Sequence, residues 1–335
     1  SAATYSSGGM TIDKIAWHEN DGSESFSTHT ITTDAAFANA VYAVDVDGDG
    51  DMDVLSASGD DDKIAWYEND GSQSFTPHTI SNSADFARDV YAADVDGDGD
   101  MDVLSASQYY SDNIAWYEND GSENFTTHII GSAQSAMSVY AVDVDGDGDM
   151  DVLSASAGDD KIAWYENDGS ESFTAHNITT NADGAISVYA TDVDGDGDMD
   201  VLSASNIGDE IAWYENDGSE NFTSHIIATW GDVDNPTSVY AVDVDGDGDI
   251  DVLSASEGDD KIAWYENDGS ESFTAYTLDS YADGAMSVYA VDVDNDGTMD
   301  VLSASKSNTS DHSHDMIAWY ENTTPDLTAP SIPTG

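Results

Sequence analysis

Five carboxylates on alternate positions of a nine-residue stretch, with glycine in the two central gaps, form the most distinctive chemistry in the chain: Asp45-Val-Asp47-Gly-Asp49-Gly-Asp51-Met-Asp53. The pattern returns with Asp94, Asp96, Asp98, Asp100 and Asp102, and with Asp143, Asp145, Asp147, Asp149 and Asp151. It returns again with Asp192, Asp194, Asp196, Asp198 and Asp200, and with Asp243, Asp245, Asp247, Asp249 and Asp251. A last copy, altered at one of the five carboxylate positions, carries Asp292, Asp294, Asp296, Thr298 and Asp300. Carboxylates this close repel one another, so the pattern suits neither a helix face nor a core strand unless a cation sits among them. Oxygen-only donors on a glycine-rich turn suit a hard cation; Ca²⁺ is the first choice, ahead of Mg²⁺, which prefers rigid octahedral sites with retained water. About six such ions are expected, in structural rather than catalytic sites, because several ligands per ion leave little room for a substrate.

The alternative, plain acidic hairpin turns, fits the charge distribution poorly. Of 70 acidic residues 14 are Glu, and 29 of the 56 Asp fall in the six loops. Only 6 Lys and Arg oppose them, for a formal charge of −64. That balance argues against nucleic acid, whose affinity comes from Lys and Arg on phosphate, and against anionic membrane surfaces. It fits a protein surrounded by salt and divalent ions, where charges are screened. Hydrophobic residues at 39% are too many for a disordered acidic tail. There is no Cys, so thiols say nothing of the redox compartment, and no apolar run approaches the ~18 residues of a membrane span. Residue 1 is Ser, which reads as a processed or trimmed end.

The loops belong to a repeat of about 50 residues, marked by the Trp of an Ile-Ala-Trp triplet at positions 17, 66, 116, 164, 213, 264 and 319. Short alternating segments on that period indicate propeller blades rather than helical solenoids. In one copy Val90–Val95 reads as strand A, Val103–Ser107 as B, Asn113–Glu118 as C and Asn124–Ile129 as D, with Asn119–Ser122 a tight C–D turn. The expected architecture is therefore all-β, a seven-bladed β-propeller of four-stranded antiparallel blades closed by pairing the terminal segments. Six blades are the alternative, since strands A and D each occur six times. Ser1-Ala-Ala resembles the end of a strand B, and the last copy stops after strand C. The propeller is expected to span residues 1–322, with a Pro- and Thr-rich tail or linker over 323–335 leading to a further domain.

The Asp-X-Asp-X-Asp-Gly-X-X-Asp loop between two short strands, repeated on this period, resembles the FG-GAP/VCBS repeat found in integrin α subunits and in many secreted bacterial proteins. The Ile-Ala-Trp-Tyr-Glu-Asn-Asp-Gly-Ser segment looks like bacterial members, so no integrin-type ligand or partner chain is carried over. The resemblance implies an extracellular propeller with Ca²⁺ in the A–B loop of each blade. In such loops positions 1, 3, 5 and 9 give side-chain oxygens, position 7 a backbone carbonyl, and Gly at position 6 the sharp turn. Thr298 at position 7 of the last loop agrees with that scheme, since only its carbonyl is needed. Bound ions would make stability depend on Ca²⁺.

Antiparallel order puts the uniform A–B loop and C–D turn at one end of every blade and the variable B–C and D–A loops at the other. Variation among repeats at one end is where recognition would be built. Tyr109, Tyr110, Trp230 and Tyr281 stand in those loops and could stack on sugar rings, or simply cover the end of the propeller. His29, His78, His128, His176 and His225, replaced by Tyr276 in the sixth copy, read as packing or surface residues of strand D. The triplet Trp residues read as blade-to-blade core, and Lys14, Lys63, Lys161 and Lys261 as offsets to neighbouring acids. His312-Ser-His314-Asp315 is a weak candidate for a transition metal. Sequons stand at Asn124, Asn177, Asn221, Asn308 and Asn322.

The functional expectation is a non-enzymatic, secreted or cell-surface, Ca²⁺-stabilised binding, adhesion or scaffold module of a larger chain or assembly, with a protein or glycan ligand and no nucleic acid or membrane insertion. A lectin using the variable loops is the alternative. A polysaccharide lyase is third, because one Arg, Arg88, and no unrepeated cluster of His, Lys and Tyr serve that chemistry poorly. The near-identity of the units also suits a spacer.

Overall fold

The computed structural model describes residues 2–7, 10–23, 25–109, 112–306 and 316–323, and all their regular structure is β-strand. Strands β1 (Ala2–Ser7), β2 (Met10–Asn20) and β3 (Phe26–Thr32) form one sheet. Four-stranded sheets follow: β4 (Ala38–Val44), β5 (Asp53–Ser58), β6 (Lys63–Asn69) and β7 (Phe75–Ser81); then β8 (Ala87–Ala93), β9 (Asp102–Ser107), β10 (Asn113–Asn119) and β11 (Phe125–Ser132). The next are β12 (Ala136–Val142), β13 (Asp151–Ser156), β14 (Lys161–Asn167) and β15 (Phe173–Thr179); and β16 (Ala185–Thr191), β17 (Asp200–Ser205), β18 (Glu210–Asn216) and β19 (Phe222–Ala228). The last four-stranded sheet is β20 (Pro236–Val242), β21 (Asp251–Ser256), β22 (Lys261–Asn267) and β23 (Phe273–Asp279), before β24 (Ala285–Val291), β25 (Asp300–Ser305) and β26 (Met316–Tyr320). Each sheet joins consecutive strands in sequence order, and the described ladders are antiparallel, as in propeller blades. The chain divides into two compact units, residues 1–188 and 189–335.

The blade count needs a correction. Six blades have an inner A strand leading through an Asp loop into B, which is the six-bladed alternative rather than the expected seven. The remaining Ile-Ala-Trp triplet, at Trp17, belongs to β1–β3, a sheet with no A strand and no Asp loop. In the last blade no D strand is present among the described residues. Tyr110, Asn308, the 312–315 segment and the tail from residue 324 lie outside the described residues.

The repeated registers explain why the same side chains are buried each time. Strand B, Asp-Val-Leu-Ser-Ala-Ser, is wholly buried in β9, β13, β17 and β21, where Val and Leu are followed by three small residues. Each described C–D pair carries a one-residue bulge, as between Ile64 and Ala65, which sets Trp66 opposite His78. Trp66 packs with Leu55 from its own blade and with Val90, Val103, Ala115 and Tyr117 from the next, so the triplet Trp is blade-to-blade core. The strand D histidine stacks on this Trp at 4.5 Å and donates from Nε2 to Glu68 at 2.8 Å. His128, His176 and His225 repeat the arrangement, and Tyr276 stacks in its place on Trp264. These histidines are packing residues, as expected. Lys63, Lys161 and Lys261 pair with Asp61, Asp159 and Asp259 at 2.6–2.8 Å.

Candidate metal centre

Each Asp loop is built around backbone amides before any ion is considered. In the first loop the position 1 carboxylate of Asp45 accepts from Gly48 N at 2.9 Å and Gly50 N at 3.0 Å. Asp47 accepts from Asp49 N at 3.1 Å, and Asp49 from Asp51 N at 2.9 Å. Asp53, at position 9, is wholly buried and accepts from Val46 N at 3.0 Å and Asn69 N at 2.7 Å. Burial raises the pKa of Asp53, partly offset by the Asn69 and Val46 amides and by the nearby indole N–H of Trp66. Glycine is required at position 6, where Gly50 has φ +96°. At position 4 the last loop substitutes Asn295 at φ +62°, a residue that tolerates the left-handed region.

The result brings positions 1, 3 and 9 together. Asp45, Asp47 and Asp53 offer oxygens all within 4.8 Å of one another, as do Asp94, Asp96 and Asp102; Asp143, Asp145 and Asp151; Asp192, Asp194 and Asp200; and Asp243, Asp245 and Asp251. The last loop keeps the same scaffold, with Val293 N on Asp300 and Gly297 N on Asp292, both at 3.0 Å. Position 5 is not in the trio and lies exposed in the loop, its Oδ1 taking the position 7 amide. The position 7 side chain turns away from the site. Asp51 and its equivalents lie against the glycine of the C–D turn so closely that a Cβ on Gly71 would clash with the carboxylate. Thr298 reaches the same region by donating to Asn322 O at 2.7 Å. The expected backbone-only contribution of position 7 fits this geometry.

The donor set fits a hard divalent cation. Three carboxylates in one small space leave lone pairs unused by the amides, and Asp94 Oδ1 is buried without a hydrogen-bond partner among the described residues. Burial raises the pKa of Asp47, with its neighbours Asp53, Asp49 and Asp45 adding to the rise. Burial likewise pushes Asp102, Asp151, Asp200 and Asp251 up to about 6. An ion at this point would relieve both burdens.

A pH test follows from the sign of these shifts. A carboxyl at about 6 when folded, against 3.8 ordinarily, takes up a proton more readily when folded. Metal-free protein should therefore lose stability as pH rises from 4 through 6. The turn aspartates such as Asp70, lowered by the Ser72 hydroxyl, oppose this weakly because they are fully exposed. An ion that holds the carboxylates ionised reverses the slope, since acidification then displaces it. Urea midpoints at pH 5 and pH 8 should thus rank in opposite orders for metal-stripped and metal-saturated protein.

Sequence reasoning missed the residue that ties one loop to the next. In four copies the Asn that follows Tyr-Glu at the end of strand C, namely Asn119, Asn167, Asn267 and Asn322, bridges two Asp loops. Asn167 Nδ2 donates to Val95 O of the preceding blade at 3.0 Å and to Met150 O of its own loop at 3.2 Å. Asn119 does the same to Val46 O and Met101 O, and Asn322 to Val244 O and Met299 O. A second missed set is the inner-strand tyrosines, whose rings pack tilted against one another, at 4.7 Å for Tyr42–Tyr91 and 4.8 Å for Tyr91–Tyr140. Their 49-residue spacing was a visible signal.

At the other end of the blades the loops differ from copy to copy. Tyr109 is 54% exposed beside Phe86, while Trp230 at 78% and Tyr281 at 88% stand on separate D–A loops. No ring contact joins Trp230 to Tyr281, so these two do not form a single stacked surface.

The FG-GAP-like repeat model matches residues 2–56, 45–105, 94–154, 143–203, 192–254 and 243–303, and the chain belongs to that family. No match was found among curated proteins. Solved structures with the same fold include a virginiamycin B lyase from Staphylococcus aureus, 14% identical, with TM-score 0.64 over 95% of this chain and 94% of that one. Another is an Agrocybe aegerita lectin specific for non-reducing terminal N-acetylglucosamine, 16% identical, with TM-score 0.60 over 90% of this chain and 87% of that one. At these identities the likeness is one of fold.

Proposed function

We propose that the chain is a non-enzymatic, extracellular binding module, its six Asp loops holding Ca²⁺ and its variable loops holding the ligand. The observation that carries the reading is the division of labour between the two ends of each blade. At one end the loops repeat the same carboxylates on the same amides, and Asn119, Asn167, Asn267 and Asn322 each lace one loop to the one before it. At the other, equivalent positions change from copy to copy and leave aromatic rings in solvent. Uniformity suits a fastener, and difference suits recognition. The formal charge of −64 suits a setting rich in salt and divalent ions.

Glycan is the ligand class best supported by the exposed rings, since Trp and Tyr faces stack on the apolar face of a pyranose. The likeness to a lectin is consistent with this but adds only fold. Glycan-array binding in Ca²⁺ tests the reading. Trp230→Ala should abolish or weaken at least about tenfold the strongest neutral-glycan signals while leaving the melting transition in place, because Trp230 is an exposed ring in a loop. A blank array for the parent chain counts against the glycan class. Turnover of any polysaccharide on that array counts against the non-enzymatic assignment.

A further inference from the structure

Arg88 is the single arginine of the chain, and its surroundings differ from those of Lys63, Lys161 and Lys261. Lys63, Lys161 and Lys261 each close on an aspartate two residues upstream. Arg88 has no ion pair among the described residues. Its Nε is buried without a partner, and its Nη1 reaches only the Asn39 amide oxygen, at 3.4 Å. The guanidinium lies 5.3 Å from the centre of the Phe86 ring, which packs on Phe37 at 5.5 Å and on Tyr109 at 4.9 Å. Burial lowers its pKa, and the Tyr109 phenol is the one ionisable neighbour that acts on it. In a protein of charge −64, no carboxylate does so.

Comparison among the repeats shows that the fold does not require this arrangement. The position of Arg88 holds Asn39, Met137, Ile186, Thr237 or Met286 in the other blades. The preceding loop position is Gly184 or Gly284 in two blades, at φ +68° and +64°. Phe37 and Phe86 occupy it at φ +54° and +48°, and nearby Tyr109 has φ +74°. Bulky residues rarely adopt this region, because it strains the backbone. Asp13 and Asp62 hold the two Phe amides there, at 3.2 and 2.9 Å. One cation–π contact is weak compensation for a desolvated, unpaired guanidinium beside strained aromatics. An anionic ligand would compensate more fully.

We propose that Arg88, with Tyr109, Phe86 and Phe37, is a binding site for an acidic sugar residue, a hexuronate whose carboxylate pairs with the guanidinium fork. The Tyr109 ring, the most exposed of the three, takes the apolar face of the pyranose. This site rests on the reading of the variable loops as the ligand-binding end and names one ligand class for it.

Calorimetric titration of the whole chain in Ca²⁺ and 0.15 M NaCl, where the field of the remaining acids is screened, tests the site with three probes. They are a β-glucuronide disaccharide, its neutral glucoside counterpart and a sulfated glucoside. The glucuronide should bind at least about tenfold more tightly than the neutral sugar, and Arg88→Ala should remove that difference. Arg88→Lys should retain part of it, and a melting transition in Ca²⁺ matching the parent shows that the variants fold. Equal binding of glucuronide and glucoside, or a preference unchanged in Arg88→Ala, overturns the site but leaves the binding module standing. Preference for the sulfated sugar overturns the carboxylate assignment. A parent chain that binds none of the three probes overturns the site, and if the glycan array is also blank the parent reading fails with it.

Discussion

Removal of divalent cations should lower the melting temperature of this protein by roughly 20 °C or leave it unfolded at room temperature. A site held at 100 times its Kd contributes about 2.7 kcal/mol, so six contribute about 16 kcal/mol. Ordinary domains have a net stability of only about 5–15 kcal/mol. For 335 residues, an unfolding entropy of roughly 2.1 cal/mol/K per residue converts that loss into the stated temperature drop. The metal-free state also keeps carboxyls such as Asp102 and Asp151 in positions where burial already raises their pKa to about 6. Scanning calorimetry in excess EGTA and in millimolar CaCl₂ measures the difference; coincident transitions would remove the loops from the stability of the fold.

The second large effect is graded along a single loop. Asp151→Ala, at position 9, should destabilise by about 2–6 kcal/mol even without counting the ion. It leaves two buried amides, Val144 N and Asn167 N, without the carboxylate they now reach at 3.0 and 2.7 Å. Asp147→Ala, at position 5, removes an exposed acceptor for Asp149 N and should cost less than about 1 kcal/mol beyond any change in ion affinity. Asp149→Thr, at position 7, copies Thr298 and should be close to neutral. Chemical unfolding of the three variants in CaCl₂ gives the order directly. If position 7 proves as costly as position 9, the carboxylates are not divided as the geometry divides them.

Much of this was legible in the sequence because the repeat states each answer several times. Period-2 segments between Asp-Gly and Asn-Asp-Gly signals gave four strands, and the observed C strand of Asn113–Asn119 differs from the expected Asn113–Glu118 by one residue. Strand A begins at Ala87 rather than Val90, since Arg88 and Asp89 hide its start among polar residues. Position 9 was legible as a candidate ligand but not as the anchor of the loop, because one of its two amide partners, such as Asn167 N for Asp151, lies 16 residues on at the end of strand C. The separation of position 5 from the trio depends on how a turn with two left-handed glycines aims its side chains, which spacing does not encode. The Asn167 bridge joins residues 72 apart on different blades. Arg88 drew notice only as a lone cation unsuited to a lyase. What the sequence could not convey is that its Nε is buried and that no carboxylate among the described residues pairs with it.

The most direct test of the account is the number of Ca²⁺ ions the folded chain holds. Equilibrium dialysis of metal-stripped protein against micromolar to millimolar CaCl₂, read by elemental analysis, should give about six per chain. Asp151→Ala should give about one fewer. A stoichiometry near zero, or six ions bound equally well after that substitution, would contradict the assignment of the Asp loops as the fasteners of the blades.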